Sequence, residues 1–184
     1  GSLAGGGERS EREEGYRCEA CGSDYPVVAG IPDFRLSGGP WLDIHEDREK
    51  ARRLDEMLGE AGLEEALRAY WSITPGTPEE EAGRFVRHCL RAGERSEEWL
   101  DRLGWRAGGG SEEPWLDLGC GTADLAAAAG ARAQATAGMD VALRWLVVAR
   151  RRPGAEQDGV RLICARAEAL PFPDASFGAA LSLG

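Results

Sequence analysis

The order of apolar segments in the second half of the chain restricts its fold more than any other sequence feature. Short apolar runs with strand character alternate there with stretches of helical periodicity. Strands are predicted over residues 114–120, 133–140, 160–166 and 177–184, and helices over residues 123–130 and 141–152. Because such alternation is typical of right-handed crossovers in a parallel sheet, we expect an α/β fold with a doubly wound parallel sheet.

The first half of the chain divides into segments of different composition. Residues 1–15 are predicted to be a disordered tail, residues 16–38 a small knuckle with two cysteines, residues 39–103 a helical region and residues 104–113 a flexible linker. Residues 114–184 then form the ligand-binding domain. This division places a small cysteine-containing unit and a helical unit ahead of the sheet.

Within the helical region, helices are predicted over residues 54–71, 77–93 and 96–103. Gly59 and Gly62 are expected to interrupt the first of these helices. Thr77 can cap the second helix in a capping box, and Gly93 is a natural stop for it. The aromatic residues in these helices, Tyr70, Trp71 and Trp99, are predicted to be core residues, with a ligand pocket as the alternative.

Two glycines, Gly119 and Gly121, follow the first strand of the second half in the stretch LDLGCGTAD. A dinucleotide fingerprint requires a third glycine where Asp124 stands, and a carboxylate there would repel a bound pyrophosphate. A P-loop is excluded because the sequence G-x-x-x-x-G-K-[ST] does not occur.

The same stretch resembles the first signature of class I S-adenosylmethionine-dependent methyltransferases, a turn of the form E/D-x-G-x-G-x-G. Residues 165–177, ARAEALPFPDASF, closely resemble the A-E-A-L-P-F-x-D-x-S-F-D sequence of the ubiquinone/menaquinone-biosynthesis type. The resemblance implies a Rossmann-like fold and S-adenosyl-L-methionine as cofactor, with Asp140 chelating both ribose hydroxyls. This donor is cationic and carries no phosphate, so it tolerates Asp117 and Asp124, which are expected to help hold its ammonium group. The implied donor-binding residues are Asp117, Gly119, Cys120, Gly121, Asp140, Val141, Arg166, Ala167 and Glu168.

The chain departs from that family pattern at three positions. Ala123 replaces the third glycine of the turn and is expected to add a methyl group beside the ligand. Arg166 stands where the family has an aspartate that accepts a hydrogen bond from adenine, and a guanidinium has no acceptor. Either the backbone of Ala167 carries adenine recognition, or Glu168 substitutes, or the donor binds weakly. Gly178 replaces a further family aspartate.

The resemblance covers residues 114–184, whereas family members continue through three more strands. We therefore expect this chain to be the N-terminal half of a class I methyltransferase fold, truncated within its fourth strand. The expected strand order is third, second, first, fourth, which leaves the fourth strand as an exposed edge. The activity of this form of the chain is accordingly in doubt.

The knuckle contains Cys18 and Cys21 in the sequence CEAC, and it resembles the second half of a zinc ribbon that precedes some bacterial methyltransferase domains. A closed zinc site takes four ligands, and these two cysteines supply only two of them. Zinc is therefore a candidate metal but the less favoured alternative. His45, His88 and Cys89 are candidates for the missing ligands, and they could complete the site only if the helices folded back onto the knuckle. The favoured alternative is packing without metal through Tyr25, Val27, Ile31 and Phe34.

Charge and hydropathy exclude several classes of partner. Lys and Arg number 22 against 32 Asp and Glu, which gives a net charge of −10 and disfavours binding to nucleic acid or to an anionic membrane surface. No apolar stretch approaches the roughly 18–20 residues needed to span a bilayer, and the polar start of the chain does not resemble a signal peptide. We therefore expect a cytoplasmic protein.

The expected activity is transfer of a methyl group from S-adenosyl-L-methionine to a small-molecule acceptor by in-line displacement. The catalytic residues are not identifiable, and the helical region is expected to form a lid over the donor. The first alternative is a non-catalytic, truncated binding module that associates with a protein partner through the knuckle and the helices. The less favoured alternative is a nicotinamide-dependent oxidoreductase.

Overall fold

The computed structural model describes residues 15–74, 76–104, 114–130, 135–152 and 159–183. The predicted tail lies outside these ranges except for residue 15. The predicted linker lies outside them except for residue 104. The account below concerns the described residues.

The described part of the chain begins with a small antiparallel sheet, called the N-terminal hairpin below. Its three strands are β1 (Gly15–Arg17), β2 (Asp24–Val28) and β3 (Ile31–Pro32), in the order β1-β2-β3. Val28 pairs with Ile31 across a tight turn, and both side chains are buried. The turn places a positive φ at Ala29 and Gly30, the conformation that matches the right-handed twist of a hairpin.

Three helices follow: α1 (Ile44–Glu60), α2 (Leu63–Ser72) and α3 (Glu79–Arg102). Asp43 caps α1, since its Oδ1 accepts from the backbone N–H groups of His45 and Glu46 at 2.8 and 2.9 Å. The helical conformation is interrupted between α1 and α2 at residues 61–62, close to the interruption predicted at Gly59 and Gly62. Tyr70 is buried and Trp71 half-buried, in agreement with their assignment to the core. Trp99 is 43% exposed, so its assignment to the core is wrong.

The predicted division of α3 into two helices is wrong, because the helix runs through Gly93 without a break. A glycine in a helix interior costs only about 1 kcal/mol relative to alanine. A buried stripe of Cys89, Ala92, Ser96 and Leu100 crosses the glycine and favours a continuous helix. The predicted cap is also wrong, since Thr77 makes no capping bond and the helix starts after Pro78.

A parallel sheet of four strands forms the second half: β4 (Trp115–Leu118), β5 (Thr136–Asp140), β6 (Val160–Cys164) and β7 (Ala179–Leu181). The helices α4 (Asp124–Gly130) and α5 (Leu143–Arg151) connect β4 to β5 and β5 to β6. The strand order is β6-β5-β4-β7, with every pair parallel. The predicted order is therefore confirmed, and so is the Rossmann-like α/β class.

The two faces of the parallel sheet are covered differently. On one face, Trp115 packs with Leu100 of α3 and Leu125 of α4. On the other face, a cluster around Leu116 and Met139 packs against aromatic and aliphatic side chains from loops and strands. These are Phe34, Leu118, Ile163, Phe172 and Phe177. Within the described residues, this second cluster contains no helical side chain.

The N-terminal sheet packs directly on the parallel sheet and its helices. Val28 and Ile31 share one buried cluster with Leu146 and Val147 of α5. The backbone N–H of Phe34 donates to the carbonyl of Cys164 at the end of β6, at 2.8 Å. The hairpin therefore contributes its apolar face to the core of the same molecule.

Among the described residues, no helix combines the length and the apolar character that a membrane-spanning segment requires. The two longest helices, α1 and α3, both contain many charged residues.

Candidate functional site

A cleft of about 410 Å³ opens where the carboxyl ends of β4, β5 and β6 meet. This edge is where parallel α/β sheets usually bind ligands, and the volume lies in the range of small-molecule sites. The lining residues are Gly39, Pro40, Trp41, Leu42, Leu118, Gly119, Met139, Asp140, Val141, Ala165, Arg166, Ala167 and Glu168. Six predicted site residues are among them: Gly119, Asp140, Val141, Arg166, Ala167 and Glu168.

The glycine turn after β4 forms one wall of the cleft. Gly119 and Gly121 adopt positive φ values of 77° and 54°, which glycine accepts without steric strain. A Cβ added at either position would meet no atom within 4 Å, so the backbone conformation and not crowding requires glycine here. The backbone N–H groups of Gly119 and Cys120 both donate to the carbonyl of Met139, at 2.8 and 3.0 Å.

Asp140 ends β5 and, with Glu168, is one of the two carboxylates among the described residues that line the cleft. Its Oδ2 accepts from the N–H of Gly121 at 2.8 Å, and its Oδ1 accepts from the N–H of Ala142 at 2.7 Å. Each carboxylate oxygen has a further lone pair, so both can still accept from a ligand hydroxyl. The side chain is thus fixed between two backbone donors and faces the space beside the glycine turn.

Cys120 and Gly121 are predicted site residues that do not line the cleft. Gly121 contributes through its N–H group to Asp140. The Cys120 sulfur lies on the interior side, 3.1 Å from where a Cβ on Gly138 would stand. Burial raises the pKa of the Cys120 thiol well above its usual value, and the neighbouring carboxylate of Asp117 adds to this.

The expectation that the methyl group of Ala123 lies beside the ligand is wrong. Ala123 is buried and packs with Ala126 and Ala149 in the core, outside the cleft wall. Its φ of 54° is the left-handed conformation, which costs about 1–2 kcal/mol for a residue with a Cβ. The substitution for the third glycine therefore affects the backbone energy of the turn and not the shape of the cleft.

Asp117 and Asp124 point away from the cleft. Asp117 is 3% exposed and its Oδ2 accepts from the N–H of Ala126 at 3.1 Å. Burial raises its pKa to about 6, the N–H of Ala126 opposes this, and nearby carboxylates add to it. Asp124 is paired with Arg152 and bonded to Thr122. The idea that these acids hold an ammonium group has no support in their positions, and the assignment of Asp117 to the donor site rests on the sequence pattern.

Arg166, Ala167 and Glu168 form the wall that follows β6. The Arg166 Nη1 donates to the carbonyl of Gly38 at 3.1 Å, and its Nη2 lies 3.5 Å from Glu168. The guanidinium thus links this wall to the segment before α1. The carboxylate of Glu168 is exposed and remains free to accept from a ligand. The sequence left three alternatives for adenine: recognition by the backbone of Ala167, recognition by Glu168, or weak binding of the donor. This geometry is compatible with the first two.

The segment Gly39–Leu42 lines the cleft and was missed by the sequence reasoning. Gly39 and Leu42 exchange two backbone hydrogen bonds of 3.2 and 3.3 Å, which form a tight turn. The turn presents Trp41, whose side chain is 94% exposed. The signal in the sequence was the Gly-Gly-Pro-Trp run, which predicts a turn with an aromatic residue at its tip. Of the region predicted as a lid, this segment is the part that lines the cleft.

Cys18 and Cys21 do not acquire further ligands in the described part of the chain. No group of three or more His, Cys, Asp and Glu residues there could hold a metal ion. Hydrogen bonding between Cys21 and Ser23 lowers the pKa of the Cys21 thiol to about 7. His45 and His88 do not line the cleft either. Because the described residues offer only these two thiols as ligands, the knuckle as described does not fit a closed zinc site.

Comparison with known proteins agrees with this geometry. Residues 116–184 match a family model described as a methyltransferase domain. This part of the chain is a methyltransferase domain. The resemblance to class I S-adenosylmethionine-dependent methyltransferases is thereby confirmed for the segment that carries the glycine turn and Asp140. No curated protein matches the sequence.

Several solved structures are similar to part of this chain. The YcgJ protein from Bacillus subtilis is 29% identical with a TM-score of 0.41, and the match covers 48% of this chain and 37% of that one. The amino pentose methyltransferase CalS10 from Micromonospora echinaspora is 25% identical with a TM-score of 0.40, covering 54% and 42%.

A putative S-adenosyl-L-methionine-dependent methyltransferase from Methanococcus maripaludis is 17% identical, with a TM-score of 0.44 and coverage of 60% and 52%. The chain therefore spans between about a third and about half of the length of these solved structures.

Proposed function

We propose that the cleft binds S-adenosyl-L-methionine and that the protein transfers its methyl group to a small-molecule acceptor. One observation carries the proposal: the carboxylate of Asp140 is held beside the Gly119–Gly121 turn at the common edge of three parallel strands. A carboxylate at this point accepts from ribose hydroxyls in nucleoside-binding α/β folds. The family match to residues 116–184 supports methyl transfer as the reaction class.

The residues of the cleft divide the donor between them. Asp140 accepts from the ribose hydroxyls, and the turn at Gly119 lets the main chain approach the amino-acid part of the donor without a Cβ in the way. The wall at Ala167 and Glu168 contacts the adenine. The bound donor supplies a methyl group that its sulfonium sulfur already activates. The protein therefore contributes mainly by holding donor and acceptor in line and by excluding water.

The charge of the cleft suits this donor better than a dinucleotide. Asp140 and Glu168 both face the cleft, and they favour a ligand with positive charge over one with a pyrophosphate. Among the described residues that line the cleft, Arg166 is the one basic residue, and its guanidinium is engaged with Gly38 and Glu168. These observations support the methyl donor over the nicotinamide alternative.

Replacement of Asp140 by Ala tests the proposal. We expect Asp140→Ala to weaken binding of S-adenosylhomocysteine at least tenfold, because two charge-assisted hydrogen bonds to the ribose are lost. Isothermal titration calorimetry measures the affinity. Asp55→Asn, which removes a carboxylate outside the cleft, serves as the control and should bind like the wild-type protein. Equal affinities for Asp140→Ala and the wild type would contradict the assignment.

A non-catalytic donor-binding module is the second candidate, and the position of Arg166 favours it. Its guanidinium presents no acceptor to adenine and ties down Gly38 instead. The N-terminal hairpin exposes Tyr16, which could serve a protein partner. Donor binding without methyl transfer to any acceptor offered by a small-molecule panel would support this candidate, and accumulation of S-adenosylhomocysteine would reject it.

A further inference from the structure

A cluster of buried charges lies between the end of the N-terminal hairpin, α1 and the start of α5. The side chains of Asp33 and Arg35 are 0% exposed, and that of Asp47 is 1% exposed. Arg48 and Arg144 complete the cluster at 14% and 23% exposure. Buried ion pairs are seldom more stabilising than apolar packing of the same volume. Their placement here therefore calls for a role beyond stability.

Arg35 connects the hairpin to the turn that follows β5. Its Nε and Nη2 donate to the two carboxylate oxygens of Asp33, at 2.8 and 2.7 Å, in a bidentate pair that fixes the plane of the guanidinium. Its Nη1 then donates to the carbonyl of Val141 at 2.6 Å and to Asp47 at 2.8 Å. One arm of the guanidinium is thus aimed at the backbone of the turn.

Asp47 holds the other side of the same turn. Its Oδ2 accepts from the N–H of Leu143, the first residue of α5, at 2.8 Å. Its Oδ1 accepts from Arg144 at 2.5 Å. The residue before α5, Ala142, offers no capping side chain, so an aspartate from α1 takes that role. A carboxylate at this position also suits the positive end of the helix dipole.

The contacts of Arg35 and Asp47 lie directly after Asp140, the residue that binds the ribose in the proposed function. Asp140 immediately precedes the Val141 carbonyl that Arg35 holds, and its own carboxylate bonds to the N–H of Ala142 within the turn. A rotation of the Val141 or Leu143 peptide would move the Ala142 N–H and with it the carboxylate. Arg35 and Asp47 therefore act on the position of Asp140 without touching the ligand space.

We propose that Arg35 and Asp47 are positioning residues of the donor site. They fix the Val141 carbonyl and the Leu143 N–H, and thereby hold the Asp140 carboxylate in the orientation that both ribose hydroxyls require. The inference rests on the proposed function for its ligand. It gives the N-terminal hairpin and α1 a role in donor binding, which makes residues 33–47 part of the site's supporting structure.

The chain provides a matched control for this role. Asp55 of α1 pairs with Arg150 and Arg151 of α5, at 3.3 and 2.6 Å. This ion pair joins the same two helices as the pair of Asp47 with Arg144. It lies at the other end of α5 and does not contact the turn after β5. A purely structural role predicts that Asp47→Asn and Asp55→Asn affect donor binding only through stability.

Calorimetric titration with S-adenosylhomocysteine distinguishes the two roles. We expect Asp47→Asn to weaken binding about tenfold and Asp55→Asn to change it less than about twofold. In an Asp140→Asn background, Asp47→Asn should add little further loss, because the carboxylate it positions is gone. Full additivity of the two losses, or an unchanged affinity in folded Asp47→Asn, would overturn the inference.

Two further measurements keep the test decisive. If Asp47→Asn shows no cooperative thermal transition, the variant Arg144→Met takes its place, because it removes one partner of Asp47 at a partly exposed position. We expect Arg144→Met to weaken donor binding about threefold. An unchanged affinity in this variant would count against the inference. Amide hydrogen exchange tests positioning without a ligand. Asp47→Asn should speed exchange at Gly121 and Ala142, while Asp55→Asn should not. A wild-type protein that does not bind the donor would reject the proposed function, and exchange alone would then decide the positioning.

Discussion

At the scale of single residues, the least expected feature is the position of the Asp117 carboxyl group, which lies in β4 just before the glycine turn. The sequence pattern assigns Asp117 to the donor site, whereas its side chain is buried against α4 and bonded to the N–H of Ala126. Its pKa is raised to about 6, chiefly because burial disfavours the charged form. Asp117 thus affects the stability of the fold directly, and it can affect ligand binding only through the backbone that it holds.

This raised pKa predicts a particular dependence of stability on pH. Between about pH 4 and pH 6 the folded protein binds more protons at Asp117 than the unfolded chain does, so this group's contribution to the free energy of unfolding falls as the pH rises. Asp117→Asn removes the titration and keeps an acceptor for Ala126. We expect the variant to gain on the order of 2 kcal/mol relative to the wild type at pH 7 and little at pH 4.

Urea unfolding at pH 4 and pH 7 measures this difference. Asp33 and Asp55 serve as internal references, because hydrogen bonds to arginines outweigh burial and lower their pKa values. The stability they contribute is present above their unfolded pKa and is lost at lower pH, in the wild type and the variant alike. A gain that is the same at both pH values would contradict the account of Asp117.

At the scale of elements, α3 shows how burial overrides a local signal. Gly93 indicates a helix end, and the helix nevertheless continues because buried residues on both sides of the glycine share one face. The reverse holds between α1 and α2, where Gly62 does coincide with a break and precedes the first residue of α2. The same residue type thus ends one helix and lies inside another, according to the packing on each side.

Gly93→Ala is expected to raise the free energy of unfolding by about 0.5–1 kcal/mol. A Cβ at this exposed helical position would meet no atom within 4 Å. Gly76→Ala is the matched control: it is equally free of contacts, but its φ of 78° is the left-handed conformation, and so the substitution should destabilise the protein. Chemical denaturation measures the change in the free energy of unfolding for both variants, which should be positive for Gly93→Ala and negative for Gly76→Ala. A loss of stability in Gly93→Ala would mean that α3 is not continuous in solution.

At the scale of the whole molecule, the N-terminal hairpin and the sheet share one core. Ile31 is 1% exposed and lies in a cluster with Leu146 of α5. The buried charges around Arg35 join the same two parts. Since both apolar and polar contacts cross between them, we expect the hairpin to unfold together with the methyltransferase domain.

Ile31→Ala tests that expectation, and should lower the free energy of unfolding by about 2–4 kcal/mol. Tryptophan fluorescence and far-ultraviolet circular dichroism should report one coincident transition. Ile73→Ala, at a position with 42% exposure, should cost less than about 1 kcal/mol. A separate early transition of the hairpin, seen as rapid hydrogen exchange at residues 24–32 alone, would show that it is an independent unit.

Much of the parallel sheet and of its binding edge could be predicted from the sequence. Local periodicity predicts each strand and each connecting helix, and it favours right-handed crossovers between parallel strands. The order β6-β5-β4-β7 is implied by the resemblance to class I methyltransferases, and the structure confirms it. Gly119 and Asp140 lie on consecutive strand ends, and so their proximity also follows. These features depend on residues close together in the chain.

The tertiary structure alone decided which distant residues support that edge. Arg35 and Asp47 reach the turn after β5 across about a hundred positions of sequence. Trp41 reaches the cleft from a turn that the sequence predicts without indicating that it lies beside the cleft. Contacts at such separation depend on how the hairpin and α1 pack on α5, and burial in that packing outweighs local preference, as it does at Gly93. Local chemistry determined the elements and the binding turn, and long-range packing determined what holds them in place.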